Sequence, residues 1–295
     1  MNSVNKLILG TVQMGLPYGV NNNRGKISTD ESFKILNEAY SAGIRTLDTA
    51  EVYGDAHRVI GVFHKNNPEQ KFNVVTKIPA GREKDDIENI VQRYLDQLQV
   101  EKLEALMFHS FASYESQPAM PDELMKLKSA GLLRYVGVSA YTNPEVEALI
   151  QDSRIDLIQL PFNLLDNHSL RGELLENAKK ADKIIHTRSA FLQGLFFKNP
   201  DDSHPVVGAL REQLKRIQYL SESVEQNIAT LALQYCLQQG YIDNVLIGVD
   251  SVKQLKQNVK AVTQHVESEL FDEIDKIIVK NYEILNPSNW KKIKL

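Results

Sequence analysis

The sequence predicts an α/β protein built on a closed (β/α)8 barrel of parallel strands with helices around it. Short apolar runs alternate with longer stretches of helical length along the whole chain, which is the order of repeated βα units. Several of these runs end in a polar or ionisable residue, as strands do where they meet at the catalytic face of such a barrel. Because no linker or charge block interrupts the pattern, residues 1–295 are expected to form a single domain.

The predicted strands are apolar runs bounded by turn or capping residues. Gly10 interrupts the first run, and Gly43 separates the first long helix, capped by Thr29 or Asp30, from the second strand. We expect strands at residues 7–12, 44–47, 72–76, 103–108, 135–139, 156–160, 184–188 and 244–247.

Helical patterns fill the segments between these strands. In residues 87–98, apolar residues recur at helical spacing, which predicts an amphipathic helix packed on the barrel. Gly131 follows a helix predicted at 121–130, where a left-handed C-cap is favoured. We also expect an extra C-terminal helix at 267–280 and a tail at 286–290 that either folds over the barrel or stays loose. The other helices are expected from residue 29, at 55–64, from 144, at 174–180, 206–223 and 225–239, and from Ser251.

The composition is that of an ordinary globular protein. The formal net charge is −4 with acidic and basic residues interspersed, so there is no electrostatic case for nucleic acid or for an anionic membrane as a partner. No apolar segment approaches the roughly 20 residues that cross a bilayer, and the N-terminus lacks the apolar run of a secretory signal. The one cysteine, Cys236, lies in an apolar helical stretch and is expected to be a core thiol. These features predict a cytoplasmic protein.

Three successive strand ends carry ionisable side chains. Residues 47–54 read Leu-Asp-Thr-Ala-Glu-Val-Tyr-Gly and deliver Asp48 and Tyr53 to one rim, while the next two strands lead into Lys77 and His109. A free phenol has a pKa near 10, and each unit of lowering requires about 1.4 kcal/mol, so we expect Lys77 to lie beside Tyr53 and to lower its pKa. Each residue alone has a structural explanation, such as a helix cap or a buried histidine. Their convergence on one rim is what favours catalysis.

Asp48, Tyr53, Lys77 and His109, in this order on successive strand ends, resemble the catalytic tetrad of the aldo-keto reductases, and residues 43–54 resemble that family's signature. The resemblance extends over nearly the whole chain. It implies reduction of an aldehyde or ketone by a nicotinamide dinucleotide, with Tyr53 as proton donor, Lys77 held charged by Asp48, and His109 orienting the carbonyl. Glu51, inside the motif, is expected to be a solvated turn carboxylate.

The resemblance also assigns cofactor residues. Ser139 and Gln159 match positions that hold the nicotinamide carboxamide, although Ala140 replaces the asparagine that usually follows the serine. Arg188 stands where many relatives stack a tyrosine on the nicotinamide, and a guanidinium can stack too. The loop after strand seven and the start of the last barrel helix, where a helix N-terminus attracts phosphate, supply the remaining predicted residues. These are Ser189, Gly194, Gly248, Asp250, Ser251, Gln254 and Asn258.

The form of the dinucleotide is left open by Asp250. Relatives that use the phosphorylated form often carry a basic residue at this position, and a carboxylate would repel the phosphate. Lys253 and Lys256 are candidates to offset that repulsion. NADP(H) is therefore slightly favoured on family grounds, and NAD(H) is the alternative.

The expected partner is a small-molecule carbonyl substrate. Residues expected at the mouth mix apolar and hydrogen-bonding character, which suits a sugar-like or a small aromatic carbonyl: Gln13, Met14, Tyr18, Phe111, Tyr141, Phe162 and, from the tail, Trp290. The alternative function is a dinucleotide-binding regulatory or scaffold protein on the same fold with little turnover. A lyase or isomerase on this fold would bind no nicotinamide. No metal site is predicted, since His57 and His64 lack the close pairing of zinc motifs.

Overall fold

The centre of the computed structural model, which describes residues 3–19, 22, 25–82 and 86–292, is a closed barrel. Its strands are hydrogen-bonded in chain order, every pair is parallel, and the last strand returns to the first. The predicted (β/α)8 fold, the TIM barrel, is therefore confirmed. The strands are β1 Leu7–Gly10, β2 Thr46–Asp48, β3 Asn73–Ile78, β4 Leu103–Phe108, β5 Leu133–Ser139, β6 Leu157–Pro161, β7 Ile184–Arg188 and β8 Asn244–Ile247.

Helices follow the strands and cover the barrel from outside. The helix with the clearest sequence pattern has the predicted bounds, 87–98, and buries the six apolar residues of its stripe. The helices are α1 Val12–Gly15, α2 Thr29–Ala42, α3 Ala56–Asn66, α4 Ile87–Leu98, α5 Phe111–Glu115, α6 Met120–Ser129, α7 Asn143–Gln151, α8 His168–Lys180, α9 Pro205–Ala209, α10 Arg211–Ser223, α11 Ile228–Leu237, α12 Val252–Ala261 and α13 Glu269–Asp275.

The start of two helices differs from the predicted residue because a different side chain caps each helix. The cap of α2 is Ser28, whose hydroxyl accepts the Glu31 N–H at 3.2 Å, so the predicted caps Thr29 and Asp30 lie inside the helix. Asn227 caps α11 through the Thr230 N–H at 2.8 Å, which delays the start of this helix relative to the predicted residue 225. Gly131 has φ of 82° just beyond α6, the left-handed conformation that was predicted for it.

The apolar core has an inner and an outer part. Val75, Ala105, Met107 and Leu157 form a cluster within the barrel, and a larger cluster fills the space between strands and helices. Cys236 is fully buried in that outer part, as predicted. Within the described residues, no helix combines the length and the apolar character needed to cross a bilayer.

The C-terminal segment lies against the catalytic face. The predicted helix 267–280 is shorter, Glu269–Asp275, and two 3-10 helices follow at Tyr282–Leu285 and Pro287–Lys292. Pro287 and Ser288 line the main cleft, so of the two expectations for the tail, folding back over the barrel is the one observed.

Candidate active site

A cleft of ≈ 1440 Å³ opens at the carboxyl-terminal ends of the barrel strands. All four residues predicted to be catalytic line it: Asp48, Tyr53, Lys77 and His109. The barrel brings them together because each follows or ends a parallel strand, and these ends meet on one face.

Asp48 and Lys77 form a buried ion pair at the base of this cleft. The ammonium lies 2.5 Å from one carboxylate oxygen, and both side chains are at most 3% exposed. Lys77 also donates to the Thr49 carbonyl at 3.1 Å, and Gln159 donates its amide N–H to the other carboxylate oxygen at 2.8 Å. Burial lowers the pKa of Lys77, and the Asp48 charge opposes this by favouring the ammonium.

Tyr53 faces this pair from the turn after β2. Lys77 Nζ lies 5.7 Å from the centre of the phenol ring, and the His109 ring meets it edge-to-face at 5.8 Å. Gly15 and Gly54 let the backbone of α1 approach the turn: a Cβ on Gly15 would lie 1.7 Å from the Tyr53 carbonyl oxygen, and one on Gly54 would lie 2.6 Å from the Gly15 oxygen. The position of the phenol therefore requires glycine, which has no Cβ, at both Gly15 and Gly54.

The predicted effect of Lys77 on Tyr53 is wrong in its net direction. Burial raises the pKa of Tyr53, the negative charge of Asp48 raises it further, and the cation that opposes the rise is Arg188. The main physical reason is burial of the phenol, and the Asp48 carboxylate, which lies 2.5 Å from Lys77, offsets the attraction of that ammonium for a phenolate. The phenol is therefore held in its protonated form, which is the form that can donate a proton.

His109 is neutral at physiological pH. Burial lowers its pKa to about 4, and the positive charge of Lys77 acts in the same direction. Among the described residues its ring has no hydrogen-bond partner, and its Nδ1 is buried. A neutral imidazole carries one N–H, so His109 can donate one hydrogen bond to a ligand in the cleft.

Nine of the ten residues predicted to bind the cofactor line the same cleft. The exception is Ser251, whose hydroxyl caps α12 by accepting the Gln254 N–H at 3.3 Å. The Gln254 side chain in turn accepts the Asp250 N–H at 2.6 Å, so both side chains shape the start of this helix. The nine are Ser139, Gln159, Arg188, Ser189, Gly194, Gly248, Asp250, Gln254 and Asn258.

Polar groups in the cleft suit a nicotinamide dinucleotide. Gln13 lines it with a buried side-chain oxygen that has no partner among the described residues, and the Ser139 side chain lines it as well. Gly248 lies close to the Gln13 side chain, since a Cβ there would be 2.8 Å from the Gln13 amide nitrogen. The start of a helix attracts phosphate, although the N–H groups of Asp250 and Gln254 already donate to side chains here. Lys253 and Lys256 do not line the cleft, and Lys256 pairs with Glu38 at 3.3 Å.

Arg188 ends β7 and turns its guanidinium into the cleft wall. One Nη2 N–H donates to the Ala140 carbonyl at 3.1 Å, and the guanidinium carbon lies over the Tyr141 ring, 4.0 Å from its centre. Ala140 thus contributes through its carbonyl, although its side chain lacks the amide usual in relatives.

The mouth differs from expectation in four of its seven predicted members. Gln13, Tyr18 and Tyr141 line the cleft, whereas Met14, Phe111 and Phe162 do not. Phe162 is fully buried and stacks on Tyr235 at 5.5 Å. Trp290 donates to the Ile284 carbonyl at 2.7 Å and lies outside the lining.

Two features were missed in the sequence. The loop after β7 contributes Phe191, Gln193, Phe196, Phe197 and Lys198 to the cleft, and its run of aromatic residues was the signal. Glu51 is not solvated: it accepts hydrogen bonds from Arg82, from Arg93 at 3.2 Å and from the Tyr94 hydroxyl at 2.5 Å.

Comparisons with known proteins agree with this geometry. The sequence profile of the Aldo/keto reductase family matches residues 6–279. L-galactose dehydrogenase of Arabidopsis thaliana is 28% identical over 87% of this chain and 88% of that protein. D-threo-aldose 1-dehydrogenase of a Pseudomonas species is 23% identical over 84% of this chain and 88% of that protein. Among solved structures, an aldo-keto reductase of Bacillus halodurans has the same fold, with a TM-score of 0.75 and 21% identity over 94% of both chains.

Proposed function

The chain belongs to the aldo/keto reductase family, and we propose that it reduces a sugar-like aldehyde or ketone with Tyr53 as the proton donor. Membership makes it an NAD(P)H-dependent oxidoreductase that acts on a small-molecule carbonyl substrate. The observation that carries the residue assignment is the grouping of Tyr53, His109 and the buried Asp48–Lys77 pair in one cleft. A scaffold protein would have no need for this arrangement.

Charge develops on the carbonyl oxygen during reduction, so that oxygen needs a proton and a hydrogen-bond donor. A reduced nicotinamide, when bound, supplies the hydride. Tyr53 carries the proton, because burial favours its protonated form. An alkoxide is a far stronger base than a phenolate, so the proton passes from Tyr53 to the oxygen even with a raised phenol pKa.

The other three residues prepare and support this transfer. The neutral His109 donates its N–H to the carbonyl oxygen and so fixes its orientation. Asp48 keeps Lys77 charged and in place at the base of the cleft, and Arg188, whose charge acts to lower the pKa of Tyr53, favours the phenolate that is left after transfer. The hydrogen bond from Gln159 fixes the Asp48 carboxylate in turn.

The dinucleotide is proposed to lie along the cleft from the tetrad to the start of α12. Ser139 and Gln159 would hold the carboxamide, Arg188 would stack on the nicotinamide, and the backbone near Gly248 would receive phosphate. Ser189, Gly194, Gln254 and Asn258 line the remaining length. The family resemblance favours NADP(H). The Asp250 carboxylate in the cleft wall would repel the additional phosphate of NADP(H), so the expected preference over NAD(H) is small.

The sugar-like substrate class is supported by relatives and by the cleft wall. Two relatives are named for sugars, L-galactose and D-threo-aldose. Gln13, Tyr18 and Tyr141 place amide and hydroxyl groups in the wall, which suit the hydroxyls of a polyol chain. We further propose a cytoplasmic protein in which residues 1–295 form one domain.

A turnover assay tests this function. The wild-type protein is mixed with NADPH or NADH and a panel of aldoses, small aldehydes and aromatic aldehydes, and the nicotinamide absorbance is followed. Consumption that depends on an added carbonyl supports the proposal. Dinucleotide binding without turnover of any carbonyl would instead support the regulatory or scaffold function.

A further inference from the structure

Arg188 holds hydrogen-bond donors that none of the described residues accepts from. Its only hydrogen bond runs from Nη2 to the Ala140 carbonyl, which leaves Nε and Nη1 without a partner among the described residues. No carboxylate of those residues forms an ion pair with it. The side chain is half-buried in the wall of the catalytic cleft, and stacking on Tyr141 holds it there.

A nearby arginine shows what a purely structural guanidinium looks like in this chain. Arg171 holds Asp166 through Nε at 2.6 Å and Nη2 at 3.0 Å. It also donates to Asn143 at 2.5 Å and to the Tyr141 carbonyl at 2.7 Å. Its charge is paired and all its nitrogens are engaged. Arg188 is stacked on the same Tyr141 but lacks any such pairing.

Among the described groups around Asp48, Tyr53, Lys77 and His109, none carries a free negative charge that pairs with the Arg188 guanidinium. Lys77 is paired with the Asp48 carboxylate at 2.5 Å, and the low pKa of His109, about 4, makes that ring neutral at pH 7. The positive charge of Arg188 is felt there, since it acts to lower the pKa of both Tyr53 and Tyr18. The substrate end of the cleft therefore carries one uncompensated positive charge on a rigidly held fork of donors.

We propose that Arg188 binds a carboxylate of the substrate, so that the preferred substrates are carbonyl compounds that also carry a carboxylate, such as oxo acids or uronate-type sugar acids. This inference rests on the proposed carbonyl reduction. A guanidinium fork matches the two oxygens of a carboxylate, and a single cation matches a single negative charge. Arg188 thereby serves as a specificity residue.

Binding a carboxylate is compatible with stacking on the nicotinamide. Stacking uses a flat face of the guanidinium, and one face already lies on Tyr141. Carboxylates bind at the edge, where the Nε and Nη1 donors point. The two roles predict different consequences of substitution. Loss of stacking alone changes dinucleotide affinity for every substrate, whereas loss of the anion contact changes the selectivity between substrates.

Matched substrate pairs test the proposal. D-glucuronate is compared with D-glucose, and succinic semialdehyde with butanal, in the full-length protein with saturating reduced dinucleotide. We expect the wild-type protein to have a kcat/KM about 10- to 100-fold higher for the charged member of at least one pair, the range of a charge-assisted hydrogen bond. Arg188→Gln should remove this preference, read as the ratio of kcat/KM between the two members of a pair, because a loss of nicotinamide stacking affects both members alike and cancels in that ratio. Arg188→Lys should keep part of the preference.

Arg58 provides a control for the loss of a positive charge. Arg58→Gln removes a positive charge outside the cleft, on an exposed side chain paired with Asp55, and should leave the selectivity ratio unchanged. Equal activity on both members of each pair, or an equal loss on both in Arg188→Gln, would overturn the carboxylate assignment while carbonyl reduction stands. If the wild-type protein turns over no carbonyl at all, the proposed function fails together with this inference.

Discussion

Asp48 and Gln159 are hydrogen-bonded across the interior of the barrel, at 2.8 Å from amide nitrogen to carboxylate oxygen. They come from β2 and β6, strands on opposite sides of the eight-stranded barrel. The other Asp48 oxygen holds Lys77. One carboxylate therefore links a proposed nicotinamide-binding residue to the ammonium that supports Tyr53.

Replacement of Gln159 by leucine tests this link. Without the amide, one buried Asp48 oxygen loses its partner, which costs about 1–3 kcal/mol and releases the carboxylate from its orientation. We expect kcat at saturating dinucleotide to fall about tenfold, with a weaker dinucleotide affinity as well. Single-turnover rates and dinucleotide titration separate the two effects. A loss of affinity with unchanged kcat would limit Gln159 to cofactor binding.

Tyr53→Phe removes the proposed proton donor and little else. The phenol is buried beside His109 and Lys77, and phenylalanine keeps its ring. We expect turnover to fall by about 10²- to 10⁴-fold, the contribution of general acid catalysis, with dinucleotide affinity changed less than threefold. Steady-state kinetics and dinucleotide fluorescence measure both quantities. Turnover close to that of the wild-type protein would remove Tyr53 from its role.

The strand order and the grouping of Asp48, Tyr53, Lys77 and His109 could be predicted because both follow from local patterns. Each strand is a short apolar run, and each of these residues lies at or shortly after a strand end, so barrel closure alone brings them to one face. The sequence of one chain carries that information directly.

What the sequence could not supply depends on tertiary distances. Lys77 was expected to lower the pKa of Tyr53, but burial of the phenol and the Asp48 carboxylate, 2.5 Å from Lys77, raise it. Glu51 was expected to be solvated because the residues that bind it, Arg82, Arg93 and Tyr94, lie far from it in the sequence and meet it only in the folded chain. The direction in which Phe162 points depends on the loop after β6, and this loop turns it into the core.

Asp250→Arg should shift the cofactor preference toward NADPH. The carboxylate lies in the cleft wall beside the start of α12, where a negative charge disfavours a further phosphate. Replacing it by a guanidinium should raise the ratio of NADPH to NADH affinity by about tenfold. Titration with both reduced dinucleotides gives the ratio, with Lys253→Gln, outside the cleft lining, as the control for charge alone. An unchanged ratio in Asp250→Arg would mean that the adenosine end lies elsewhere.

Buried histidines should make the protein acid-sensitive well above the range where carboxylates titrate. His57 bonds Thr76 at 2.8 Å, and burial lowers its pKa to about 4. In the unfolded chain this pKa is near 6.5, so below pH 6.5 the unfolded state binds more protons and the free energy of unfolding falls toward pH 4. Above about pH 7 this group has no effect on stability.

A titration-free variant isolates the contribution of His57. His57→Gln keeps a hydrogen-bonding side chain beside Thr76 but cannot gain a proton. Between pH 7.5 and pH 5, we expect the wild-type protein to lose about 2 kcal/mol more than this variant in urea unfolding. Asp55, whose pKa is lowered to about 2, titrates below this window and does not contribute. Equal losses in both proteins would show that His57 is not the group responsible.

Gly15→Ala should disturb the position of Tyr53 from outside the tetrad. The added Cβ would lie 1.7 Å from the Tyr53 carbonyl oxygen, and backbone atoms cannot rotate away as a side chain could, so α1 and the catalytic turn must separate. A displacement of about 1 Å can cost 10²-fold in rate, and overpacking costs about 1–3 kcal/mol of stability. Gly208→Ala in α9 is the matched control, because nothing lies within 4 Å of its Cβ. We expect kcat to fall in Gly15→Ala and to stay at the wild-type value in Gly208→Ala, with circular dichroism confirming the fold of both. A fully active Gly15→Ala would show that the turn tolerates this displacement and that the phenol is positioned by other contacts.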